Sequence, residues 1–91
     1  MGDWRTIYKY PLPQPVMDLD LPVGAKVVRV GTQNFLPTLW IEHAMEPEQT
    51  EKRTFIGHGT GHPIPPGEVY VGTAHNVEDE GLVFHIYERV K

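Results

Sequence analysis

The residues best equipped for chemistry in this 91-residue chain crowd into Gly57-His58-Gly59-Thr60-Gly61-His62-Pro63-Ile64-Pro65-Pro66-Gly67. Glycines at the alternate positions 57, 59 and 61 strip side chains from the backbone, opening its N–H groups to a ligand or to another chain. Thr60 and His62 add side-chain donors, so one reading is an anion nest facing a phosphate. The other is a strand with close backbone approach that runs into a proline-stiffened turn.

Metal and enzyme readings of the segment meet specific obstacles. A spacing of four puts His58 and His62 on one face only in a helix, which this Gly/Pro composition forbids, and no Asp, Glu or Cys stands at a supporting short spacing. A Walker loop would need a following Gly-Lys-Ser/Thr, and Rossmann spacing is missing. His58-Gly59-Thr60 matches the His-x-Thr element of two-histidine phosphoesterases. Those enzymes need two such elements, one histidine as base and one as acid, and His43, His62, His75 and His85 are not followed two positions on by Ser or Thr. The chain has no serine or cysteine, which excludes Ser and Cys triads, and its threonines have no activating neighbour in the sequence. A binding role without catalysis, metal or cofactor is the expectation.

The cations and aromatic rings are the other candidates for ligand contact. Arg5 and Lys9 share a predicted strand face with Ile7 and could clamp a phosphate, as could Arg53. Trp4, Tyr8, Tyr10, Trp40, Tyr70 and Tyr87 suit base stacking or an oligomer seam, against the ordinary alternative of core and cross-strand pairs. A formal net charge of −4 argues against duplex nucleic acid, which demands a basic face, but leaves room for a small anion in a locally basic pocket. The sequence shows no apolar run of membrane-spanning length and no apolar signal region. Without cysteine, disulfides and cysteine-ligated zinc are excluded.

The elements that must position these residues follow a period of two. Trp4, Thr6, Tyr8 and Tyr10 alternate with Arg5, Ile7 and Lys9, before Pro11, Pro13 and Pro15 deny ladder donors. Met17, Leu19 and Leu21 alternate with Val16, Asp18 and Asp20, and Pro22-Val23-Gly24 reads as a turn. Ala25 to Gly31 is rich in β-branched residues, and Asn34 to Pro37 reads as a connection. In Thr38 to Met45, Leu39, Ile41, His43 and Met45 oppose Trp40, Glu42 and Ala44. Glu46 to Glu51 reads as a loop. Lys52 to Gly57, Val69 to His75 and Leu82 to Val90 complete the strands, with a polar hairpin loop over Asn76 to Gly81. The pattern predicts one all-β domain over residues 1–91, an antiparallel sandwich or barrel of about six to seven short strands.

Several strings recur in order along the chain: Thr6-Ile7-Tyr8-Lys9-Tyr10-Pro11-Leu12, Leu21-Pro22-Val23-Gly24-Ala25-Lys26-Val27, Leu39-Trp40 and Arg53-Thr54-Phe55-Ile56. Gly59-Thr60-Gly61-His62-Pro63-Ile64-Pro65, Tyr70-Val71-Gly72-Thr73 and Gly81-Leu82-Val83-Phe84-His85-Ile86-Tyr87-Glu88 follow. Together they resemble a widespread family of small tailed-phage proteins, over nearly the whole chain. The resemblance implies an immune-evasion role of the anti-CBASS kind, a homo-oligomeric sponge that sequesters a cyclic dinucleotide without cleaving it in the cytoplasm of the infected host cell. The chain's own residues then supply the expected contacts. These are Gly59, Thr60, Gly61 and His62 to phosphate or ribose, Tyr8 and Trp40 to bases, and Arg5, Lys9 or Arg53 to charge. The competing expectations are a phage structural or protein-interaction module joined through strand edges, and a phosphoesterase. No membrane partner is expected.

Overall fold

The computed structural model describes residues 4–90, and among these the fold is all-β, with seven strands and no helix. The strands are β1 (Arg5–Pro11), β2 (Val16–Pro22), β3 (Lys26–Gln33), β4 (Leu36–Ala44), β5 (Thr50–Gly59), β6 (Glu68–Val77) and β7 (Leu82–Arg89). They form a three-stranded sheet in the order β1-β4-β3 and a four-stranded sheet in the order β2-β5-β7-β6, with antiparallel neighbours throughout.

Alternation decides which side chains enter the core. Leu39 and Ile41 of β4 meet Leu21 of β2, Phe55 of β5 and Ile86 of β7, all essentially inaccessible to solvent. Met17, Leu19, Val27, Val30, Val71 and Phe84 pack around them. Two bulges keep this pattern in phase. The register of β3 against β4 shifts between Val27 and Arg29, so Val27 and Val30 both reach the core while Arg29 faces outward beside Trp40. A shift between Tyr70 and Gly72 does the same for β6, turning Val71 inward and restoring Thr73 to the outer face.

The two sheets approach most closely where β3 meets β6. A Cβ added to Gly72 would lie 2.5 Å from Val30 Cγ2, so a glycine is required for this contact. Thr32 Oγ1 donates to the His75 carbonyl, and the Glu78 amide donates to the Phe35 carbonyl at 2.8 Å. Asn34 and Phe35 both have positive φ, 52° and 64°, and link β3 to β4 in the manner of a two-residue type I′ turn.

The elements differ from the sequence expectation mainly at their ends. Leu36 and Pro37 belong to β4, because the hairpin needs only two turn residues. Thr50 and Glu51, expected in a loop, pair with Pro22 and Leu21. At its other end β5 runs on through His58 and Gly59, which pair with His85 and Phe84. The first three residues of the glycine-rich segment are therefore strand, and the turn begins only at Thr60.

Candidate functional site

The end of β5 builds two different surfaces, one on each side of its sheet. Gly57 and Gly59 share the inner face with Phe55. Gly57 lies against a mainly apolar cavity of about 110 Å³ between the sheets, lined also by Leu12, Leu36, Val77, Phe84 and Ile86. A Cβ at Gly57 would sit 3.6 Å from Ile86 Cδ1, an ordinary contact, so packing does not demand glycine there. At Gly59 it would lie 3.1 Å from the His62 ring. That ring folds back because Gly59 to His62 form a β-turn, with the His62 amide donating to the Gly59 carbonyl at 3.1 Å and Gly61 at φ 88°. Gly61 occupies the position where a type II turn needs positive φ, and nothing lies within 4 Å of where its Cβ would be.

On the outer face the same strands carry a continuous polar chain. Thr60 Oγ1 lies 2.9 Å from His85 Nε2, His85 Nδ1 lies 3.1 Å from Thr73 Oγ1, and Thr73 Oγ1 lies 2.6 Å from Tyr70 Oη. The register of β6 on β7 creates this meeting, since Thr73 pairs with His85 and Tyr70 with Tyr87. His58, the direct cross-strand neighbour of His85, is held by Glu68 at 2.6 Å, with both side chains largely buried. Tyr87 packs edge-on against both His58 and Tyr70, with centroids 5.5 Å apart in each case. Tyr70 remains about half exposed, at 54%. The result is a polar, ring-bearing face with a turn of unshielded backbone at its rim.

Of the predicted contacts, Gly59, Thr60, Gly61 and His62 come together in one turn, but only Thr60 joins the outer-face chain, while the His62 ring stands against Gly59 on the inner side. The others do not join them. Trp40, Arg5 and Lys9 lie on the outer face of the other sheet, where Lys9 is the cross-strand partner of Trp40 and Arg5 Nε bonds Glu42 at 2.8 Å. Tyr8 is on the opposite side of β1 from Lys9 and packs on His43, with ring centroids 5.1 Å apart, so Tyr8 and Trp40 cannot sandwich one base within a single chain.

Arg53 faces inward, where Glu88 takes both its Nε and Nη2 at 2.6 and 2.8 Å and the Ala25 carbonyl takes Nη1 at 2.7 Å. Its assignment as a ligand cation is corrected on that ground. The bond to Glu88 raises the Arg53 pKa despite burial, so the guanidinium keeps its charge. Tyr10, whose hydroxyl lies 2.9 Å from His43 Nε2, has its pKa raised by burial and then by neighbouring Tyr8.

Three further residues, Thr73, Tyr70 and His85, belong to the face although linear spacing did not bring them to it. They meet across the β6–β7 register, which depends on the bulge at Val71. The structure also corrects the expectation that no threonine has an activating neighbour, since His85 stands at hydrogen-bond distance from Thr60. The far nitrogen of His85 meets a hydroxyl where hydrolytic triads place a carboxylate to stabilise the imidazolium. With both ring nitrogens engaged, His85 fixes the orientation of Thr60. Among the described residues no group of three His, Asp or Glu side chains is placed to hold a metal ion.

The chain belongs to the family described as a domain of unknown function (DUF7352), which matches residues 4–91. No curated protein and no solved structure matches it.

Proposed function

We propose that this protein binds and sequesters a cyclic nucleotide signal, without cleaving it, on the outer face of the β5–β7–β6 sheet. The observation that carries the reading is the Thr60–His85–Thr73–Tyr70 chain of hydrogen bonds beside the Gly59–His62 turn. Thr60 supplies a donor for phosphate or ribose on this face, and Gly61 lets a ligand approach the turn without meeting a side chain. Tyr70 offers a half-exposed ring on which a base can stack, and Tyr87 backs it edge-on. The face is open, so burying a ligand calls for a second subunit against it. A homo-oligomer with pockets between subunits meets that need and adds buried area to a thin core. Together with the resemblance to tailed-phage proteins, this supports reading the protein as a phage anti-defence sponge that acts in the cytoplasm of the infected host cell.

A phosphodiesterase is the second reading, favoured by one observation: His58 and His85 are directly opposite on adjacent strands, as an acid–base pair would be. The hydrogen bonds to both nitrogens of His85 and the grip of Glu68 on His58 weigh against it. Calorimetric titration with a panel of cyclic dinucleotides, followed by denaturation and chromatography of the ligand, separates the readings. The sponge predicts heat of binding and an unchanged ligand. Linear products that disappear in His58→Ala and His85→Ala would establish the hydrolase, and no heat with any cyclic nucleotide would remove both.

A further inference from the structure

The outer face of the β1-β4-β3 sheet concentrates charge of the opposite sign to the chain as a whole. Arg5 and Lys9 on β1 and Lys26 and Arg29 on β3 are four of the eight lysines and arginines of a chain whose formal net charge is −4. All four are exposed, and Glu42 is the one carboxylate that the register sets among them, bonded to Arg5. Trp40 occupies the centre of the face. Its cross-strand neighbours are Lys9 on one side and Arg29 on the other, and the Arg29 guanidinium lies over the indole, 5.5 Å from its centroid. Gly31 makes room for both: a Cβ there would meet Trp40 Cζ3 at 3.3 Å and Arg29 Nε at 3.4 Å. Ile7 and Val28 are half exposed on the same sheet.

We infer that this face binds single-stranded nucleic acid. Strands about 4.8 Å apart place Lys9 and Arg29 roughly 10 Å from each other across Trp40, and four residues of β1 place Arg5 roughly 13 Å from Lys9. Cations spread over such distances track a flexible phosphate backbone, whereas a compact anion would touch only one or two of them. Bases stack on a guanidinium plane or an indole and lie against exposed apolar side chains without sequence preference. A second copy of the chain docking an acidic loop here would make a head-to-tail contact, the kind that propagates into a filament when the rotation does not close. Duplex DNA needs a longer basic track than one three-stranded sheet supplies.

Fluorescence anisotropy of a labelled 20-nucleotide oligothymidylate tests the inference. At low salt the intact protein binds, and log affinity falls with log salt at a slope of about −2, for about three neutralised phosphates at about 0.7 each. The double variant K9E/R29E weakens binding at least tenfold, K9Q/R29Q falls between, and cyclic dinucleotide binding by K9E/R29E is retained. An intact protein that leaves the oligonucleotide unbound at low salt overturns the inference. So does equal affinity for duplex, or undiminished binding by a folded K9E/R29E. If oligothymidylate binding stands while no cyclic nucleotide binds, the sponge has failed and this face has not.

Discussion

Thr60 on β5 and His85 on β7 are 25 residues apart in sequence and meet at 2.9 Å, Oγ1 to Nε2, on the outer face of the four-stranded sheet. The contact exists because β5 continues past the expected end of the strand, pairing His58 with His85 before the glycine turn begins. It turns a flexible-looking glycine stretch into an anchored rim. Removing the hydroxyl should therefore weaken ligand recognition with little effect on the fold, since Thr60 is exposed. Thr60→Val should lower cyclic dinucleotide affinity by about 1–2 kcal/mol, about 5- to 30-fold. Calorimetry of the variant, with circular dichroism to check its fold, measures this.

Tyr70→Ala removes the exposed ring and the terminus of the same hydrogen-bond chain. The expected loss is about 1–3 kcal/mol of binding, as for one stacked base. Tyr70→Phe should retain most of the stacking and lose only the hydroxyl's share, so the pair of variants separates stacking from hydrogen bonding.

Two of the glycines facing the interior, Gly72 and Gly57, should respond in opposite directions. Gly72→Ala forces a Cβ to within 2.5 Å of Val30 and should destabilise by about 1–3 kcal/mol, with partial recovery in Gly72→Ala/Val30→Ala. Gly57→Ala meets only ordinary contacts and partly fills the cavity, so it should stabilise by about 0.5–1 kcal/mol. Urea denaturation of the three variants tests both signs.

Arg53 and Glu88 hold one end of the interior together, and about a fifth of each side chain is exposed. Arg53→Met should leave the Glu88 carboxylate without its partner and cost about 2–4 kcal/mol, under the ceiling for fully buried pairs. Its effect on ligand affinity, measured on protein that remains folded, should be small, because Arg53 lies on the inner side of the sheet.

Tyr10 gives a pH dependence whose sign follows from its raised pKa. The unfolded chain loses the Tyr10 proton first, near its ordinary value of 10.0, while the folded chain keeps it. Stability from this group is thus complete below that pH and falls as pH rises toward the higher folded value. Thermal melts from pH 9 to 11 should show this decline, and Tyr10→Phe should flatten it.

Much of the fold was legible because period-two alternation is a direct record of which side of a sheet is wet. Leu39, Ile41 and His43 against Trp40 and Glu42, and Phe84 and Ile86 against His85 and Tyr87, lie on the faces that alternation indicates. The bulges at Val28 and Val71 were not legible, since an extra residue breaks the period where it matters and leaves no mark in composition. The strand status of His58 and Gly59 was hidden for a related reason: glycine is a weak strand former, and only pairing with β7 supplies its ladder partners. The rim of the site could be read from Gly59 to His62, but its depth could not. Thr73, Tyr70 and His85 join it through register, a long-range property. Arg53 misled because a charge in a strand resembles a solvent-facing cation until its interior partner Glu88 is seen.

Capture of an intact cyclic nucleotide on the Thr60–His85 face can be read from what the protein retains. Purified protein incubated with a mixture of cyclic dinucleotides, freed of unbound ligand, denatured, and its supernatant resolved by mass spectrometry tests it most directly. A sponge should yield one cyclic dinucleotide at unchanged mass in near-stoichiometric amount, with much less from Thr60→Val/Tyr70→Ala. Recovery of a linear product, or of no nucleotide at all, would contradict it.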